Sequence, residues 1–211
     1  MMTNTNGIKE NSKYLILVTG LPASGKTTIA KRLANEFGLH YIGKDEYKIK
    51  MYEEYGFSST EEKKALDDRS EELMYSDLHL LLDQANIVVF DKWICKDFSR
   101  IDSITKLFNV KVIAIYLTCD ADIATKRYNN RILTGSRHVG LSLQNKYPFI
   151  QGESEFKYAS IEEMIKRSEL FAEKSFGDYR FEVSTNDIEN YENIYKQIKN
   201  FIVNIIKEGG D

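Results

Sequence analysis

The chain has 211 residues, 42% apolar and 29% charged, with a formal net charge of −3. That length suits one well-buried domain and is short for two. The charge balance gives no global attraction to nucleic acid or an acidic membrane, so duplex binding is disfavoured and only a local groove among the 29 Lys and Arg could serve it.

Residues 1–12 are polar, have no apolar core of signal-peptide length and read as a flexible tail. In chain order, residues 14–19 (YLILVT) are a continuous, partly β-branched apolar run, the pattern of a strand buried on both faces. From Gly25 to about Phe37, the apolar Ile29, Ala30, Leu33, Ala34 and Phe37 recur on one helical face, and Gly38 stops the helix. Residues 39–42 (LHYI) are a short second strand, followed by an exposed helix from Asp45 to about Tyr55. Ser59 or Thr60 caps the next helix, which carries Leu66, Leu73, Leu78, Leu81 and Leu82 on its apolar side to about Gln84.

Residues 87–91 (IVVFD) and 110–117 (VKVIAIYL) are a third and a fourth buried strand, separated by a helix from Lys96 to Phe108. Asp120 caps a helix of about fifteen residues that ends before Gly135, and residues 135–159 show no sustained periodicity. A helix over 161–176, a fifth strand over 179–184 (YRFEVS) and a last helix from Asp187 to about Lys207 complete the pattern. Strands alternate with helices throughout, which implies a parallel α/β sheet with helices on both faces and a single domain over residues 13–211. Apolar runs are strand-length, short of the ~20 residues that span a bilayer. Cys95 and Cys119 lack metal-type spacing and read as reduced structural thiols. A cytoplasmic protein without membrane contact is expected; no feature of the sequence sets an oligomeric state.

The chemistry-bearing segment is Gly20 to Thr27 (GLPASGKT), which matches the P-loop pattern between a predicted strand and a predicted helix. Glycines let the backbone wrap a phosphate without Cβ clashes. Successive N–H groups and the helix N-terminus then face the anion. Gly20, Ala23, Ser24, Gly25, Lys26, Thr27 and Thr28 are the expected nucleotide-binding residues, with Lys26 near the β- and γ-phosphates and the Thr27 hydroxyl on Mg²⁺. Asp91 ends the third strand and either holds the Mg²⁺ shell through water or caps a turn.

Two common alternatives lack their residues. Asn145-Lys146-Tyr147-Pro148 has no guanine-reading aspartate, and Asp91 is followed by Lys92 rather than by a glutamate that would activate water. A nucleotide switch or partner-coupled ATPase is therefore disfavoured against a kinase. Asp45, just past the second strand, lies where the strand ends of an open sheet meet, so it is the candidate proton acceptor, a helix cap, or both. Arg127 and Arg131 share a helix face at i and i+4, and Arg137 follows, the pattern of a lid over phosphates spanning about residues 127–159. A solvated helix face would also carry such residues.

The P-loop (GLPASGKTTIAKRLA), Asp45, the VVFD strand end and the arginine pair together resemble the P-loop small-molecule kinases. That group includes gluconate, shikimate and adenylylsulfate kinases, chloramphenicol phosphotransferase, zeta-toxin-like kinases and the polynucleotide 5′-kinase domain. The resemblance covers about residues 13–206 and implies a three-layer P-loop NTPase fold with strand order 2-3-1-4-5. It implies MgATP as phosphoryl donor to a hydroxyl of a small-molecule acceptor, Asp45 as base or acceptor-orienting group, and Arg127 and Arg131 as lid cations. It also implies that Ser184, Thr185 and Asn186 contact adenine. Several of these kinases have an arginine shortly after the aspartate; here Lys48 stands nearby as a point charge only. A 5′-kinase acting on RNA or DNA ends, and a zeta-toxin-like kinase of a nucleotide sugar, are the neighbouring alternatives.

Trp93 could stack on an acceptor or simply pack. Lys92, Lys96 and Arg100 read as solvated charges before acceptor contacts. Arg69 reads as part of a surface ion-pair network, His138 as a loop residue within reach of phosphate, and His40 and His79 as structural.

Overall fold

The computed structural model describes residues 12–94, 98–172, 176–187 and 189–208; the expected tail up to residue 11, Cys95 and Lys96 lie outside them. The apolar runs form β1 (Lys13–Gly20), β2 (His40–Gly43), β3 (Ile87–Asp91), β4 (Val110–Thr118) and β5 (Tyr179–Ser184). They make one sheet of order β2-β3-β1-β4-β5 in which every pairing is parallel. The helices are α1 (Lys26–Phe37), α2 (Lys44–Tyr55), α3 (Thr60–Gln84), α4 (Phe98–Leu107), α5 (Ala121–Leu133), α6 (Val139–Ser142), α7 (Ile161–Ala172) and α8 (Tyr191–Glu208).

The two-residue period of β1 divides the core. Tyr14, Ile16 and Val18 pack with Ile29 and Leu33 of α1 and Ile198 and Ile202 of α8. Leu15 and Leu17 face Met74, Leu78 and Leu82 of α3 and Ile101 of α4. Each such side chain contributes roughly 1.5–3 kcal/mol on burial. The three central strands are buried along nearly their whole length, whereas β5 alternates between half-buried and exposed, as an edge strand does.

Several boundaries differ from the sequence expectation. In α3 the buried side is set by Met74, Tyr75, Leu78 and Leu82, while Leu73 is exposed, because the stripe is read one residue off when only leucines are counted. Ser59, not Thr60, is the cap: its Oγ accepts from the Glu62 N–H at 3.1 Å, and Glu62 accepts in turn from the Ser58 N–H. The last helix starts at Tyr191, later than Asp187.

The aperiodic segment 135–159 is docked rather than loose. It contains α6 and two isolated antiparallel bridges, Phe57 with Tyr147 and Leu143 with Phe156. Tyr52, Phe57 and Leu143 form a small buried cluster beneath it. Its order comes from tertiary contacts, which leave no periodic signature. Cys119 is a buried free thiol. Among the described residues, no helix is long and apolar enough to cross a membrane.

Candidate active site

The P-loop connects β1 to α1. Gly20 has φ of +152°, and a Cβ there would lie 2.3 Å from the Leu117 carbonyl oxygen of β4, so glycine is required twice over. Gly25 (φ +91°) and Ala23 (φ +63°) are also left-handed, which turns the chain into the first turn of α1. The Lys26 ammonium donates to the Leu21 carbonyl at 2.8 Å, folding the side chain across the loop. Burial lowers its pKa, Asp91 and Asp45 oppose that, and Arg131 and Arg137 reinforce it.

Asp91 is 6% exposed. Its Oδ2 accepts from Thr27 Oγ1 at 2.6 Å and from the Tyr41 hydroxyl at 3.1 Å. Burial raises its pKa, against Lys26 and the Thr27 hydrogen bond. A hydroxyl beside one carboxylate is the set Mg²⁺ takes when phosphates and waters supply its remaining oxygens, so these two residues fit that ion. The turn-capping alternative for Asp91 loses ground, since its oxygen serves side chains of α1 and β2. Among the described residues, no three His, Cys, Asp or Glu side chains gather as a metal cage.

Asp45 lies in the first turn of α2, whose N-cap is Gly43, so Asp45 is not the cap. Its side chain is 51% exposed, and Arg137 Nη2 approaches its Oδ2 at 3.4 Å. Arg137 also lies over the Tyr128 ring at 5.0 Å, and its Nη1 is buried without a partner. Arg131 is half-buried; burial pushes its pKa down, with Arg137 and Arg127 adding to that and Asp45 opposing.

Arg127 differs from the expectation of a cation reaching over phosphates. Its guanidinium donates to the carbonyls of Thr185 (2.7 Å) and Asn186 (2.8 Å), so it braces the turn after β5. A cleft of about 270 Å³ lies there, lined among others by Ser24, Thr28, Arg127, Arg131, Thr185 and Tyr191. The P-loop and Thr185 thus share one cavity. Tyr191 and Ile194 also line it; they belong to the last helix, and no motif singles them out.

Three other expectations change. Lys48 pairs with Asp67 at 2.6 Å, and Asp67 also accepts from the Tyr52 hydroxyl, so the Lys48 ammonium is held inside the fold and is not a free substitute for an acceptor-binding arginine. Lys92 is not a solvated charge: it is 2% exposed and bonds Glu71 at 2.8 Å and the Tyr75 hydroxyl at 2.9 Å. Glu71 joins Lys92 to Lys44 (2.5 Å); burial would raise its pKa, but the two ammonium hydrogen bonds outweigh burial and leave it at about 2. Trp93 packs half-buried with Arg167 over its ring at 5.3 Å, while its Nε1 is buried without a partner. Sequence reasoning missed Glu71, which looks like one more surface acid of α3, and Tyr41.

Among the described residues, fold and site define a P-loop nucleotide-binding protein of three α/β layers. The chain belongs to the AAA domain family, whose sequence profile matches residues 15–144. It is 27% identical over 124 residues to a cytidylate kinase of Ignicoccus hospitalis, a match covering 56% of this chain and 64% of that protein. Its fold is similar to a protein of Chloroflexus aurantiacus J-10-fl provisionally assigned as a kinase, with TM-score 0.68 and 20% identity over 90% of this chain and 99% of the other. A gluconokinase from Sinorhizobium meliloti 1021 follows, with TM-score 0.59 and 12% identity over 93% and 94% of the two chains.

Proposed function

We propose that this protein is a kinase that transfers the γ-phosphate of MgATP to a hydroxyl of a small molecule. The observation that carries the reading is that P-loop residues, Arg131 and Thr185 line one cleft, with Asp91 bonded to Thr27 at 2.6 Å and Arg137 approaching Asp45 at 3.4 Å. The loop N–H groups and Lys26 hold the phosphates. Thr27 and Asp91 would hold Mg²⁺, which would supply positive charge against the phosphates. Asp45, turned by Arg137, accepts the proton of the attacking hydroxyl. Arg131 and Arg137 stabilise the charge of the group in transfer, and Thr185 and Arg127 wall the base.

The test is ADP release by purified protein with MgATP against sugars, nucleosides, antibiotics and a 5′-hydroxyl oligonucleotide. Stimulation by one hydroxyl class is expected; no stimulation by any of them ends the hydroxyl reading. A second reading, a phosphate acceptor, is supported by the Arg137 guanidinium 3.4 Å from the carboxylate of Asp45 and by the cytidylate kinase relative. Nucleoside monophosphates in the same panel separate it: they would be turned over while their nucleosides are not.

A further inference from the structure

Tyr41 and Gly43 lie two apart on β2 and so share one face of the sheet. In the parallel register of β2 with β3, Gly43 stands opposite Asp91. The Tyr41 side chain runs along its own strand, over Gly43, and its hydroxyl donates to Asp91 Oδ2 at 3.1 Å. A Cβ on residue 43 would lie 2.0 Å from that hydroxyl oxygen and 2.5 Å from Cζ. The φ of Gly43 is −129°, a conformation open to any residue. Glycine is therefore needed there for space and not for backbone freedom. Gly43 is also the N-cap of α2 and supplies no side-chain cap, although Ser, Asn or Asp would cap that helix somewhat better. The strand thus forgoes a cap where one would help and leaves room for the phenol.

We infer that Tyr41 is the positioning residue for the carboxylate of Asp91, and that Gly43 is the clearance that lets it reach. This rests on Thr27 and Asp91 as the Mg²⁺-holding pair, and not on the choice of acceptor. The Thr27 hydroxyl must offer a lone pair to a metal while its proton still points at Asp91. Tyr41 makes its bond from another strand, independently of the metal. It holds the carboxylate in one orientation whether or not nucleotide is present. A tyrosine that only packs would also find a partner for its hydroxyl, so the test must separate placement of the carboxylate from packing.

The test uses the full chain and needs no acceptor. Mg²⁺ is titrated at fixed ADP while the rise in melting temperature is followed, and ADP affinity in EDTA is measured by calorimetry. Tyr41→Phe is expected to raise the Mg²⁺ midpoint about tenfold, as for other residues that orient a metal ligand, with metal-free ADP affinity unchanged. Gly43→Ala, which displaces the phenol, is expected to raise the midpoint similarly, and the double variant no further. An unchanged midpoint in Tyr41→Phe overturns the inference, as does an equal loss of ADP affinity with and without metal, which would mark a packing role. Should Gly43→Ala fail to fold, Tyr41→Phe decides alone. A wild-type chain that binds MgADP yet phosphorylates nothing in the panel would sink the kinase reading and leave this one standing.

Discussion

The two halves of the crevice are built differently. On the nucleotide side, the polar groups find partners close in sequence or on the neighbouring strand end: Lys26 bonds the carbonyl of Leu21 five residues back, and Thr27 meets Asp91. On the acceptor side the contacts join distant segments: Arg137 reaches Asp45 across 92 residues, and Lys63 donates to the Leu143 carbonyl across 80. Buried polar atoms without hydrogen-bond partners occur on both sides, in Ser24 of the P-loop and in Trp93, Arg137, His138 and Ser142. The nucleotide half is set by local backbone geometry. The half we propose for the acceptor depends on how segment 135–159 docks on α2 and α3.

If that contrast is right, the largest effect belongs to the cradle. Lys26→Ala is expected to lower kcat on the order of 10³-fold, the scale of losing a preorganised charge at a transferring group, with little change in melting temperature. A steady-state assay with the best acceptor checks it, and retention of a tenth of the activity would break the comparison.

Next is the frame that joins the halves. Glu71→Gln removes the negative charge that Glu71 sets against Lys92, whose side chain is 1% exposed, and is expected to cost about 3 kcal/mol at pH 7 in urea unfolding, because a buried ion pair is broken from one side. The Glu71 pKa is about 2 in the fold against 4.5 in the open chain. Its contribution is therefore complete above about pH 4.5 and is lost as pH falls toward 2. The gap between wild type and variant should narrow over that window. A gap independent of pH would assign the cost to packing instead.

The legibility of the sequence follows the same division. The strands and the P-loop were readable because periodicity and a short motif encode them, whereas the strand order followed only from the family resemblance. Asp91 was readable because it ends a strand. Arg127 was found but its partners were not: nothing in an i, i+4 pattern tells that a guanidinium will brace the carbonyls of Thr185 and Asn186. Lys48 and Lys92 were read as accessible charges because their partners, Asp67 and Glu71, sit on α3, and no local pattern links α3 to the ends of β2 and β3. The fold of segment 135–159 rests on Tyr52 and Phe57, outside it.

Asp45→Asn sharpens the acceptor half. Loss of a positioned base costs on the order of 10²-fold in kcat, while calorimetric MgADP affinity should hold, since the carboxylate is 51% exposed and lies off the P-loop. Equal loss of both would place Asp45 in the nucleotide half and redraw the boundary between the two.

The smallest effect is expected from Arg137→Lys. A lysine keeps the charge near Asp45 but loses the planar fork, and with it the Nη1 that now lies buried without a partner. The guanidinium lies over the Tyr128 ring at 5.0 Å and beside Asp45, and we propose that it serves the acceptor and not the nucleotide. The acceptor KM should rise about tenfold, the cost of one charge-assisted hydrogen bond, with the KM for MgATP unchanged. A rise in the MgATP KM alone would instead assign Arg137 to the γ-phosphate beside Arg131, leaving the acceptor to be recognised by α2 and Trp93.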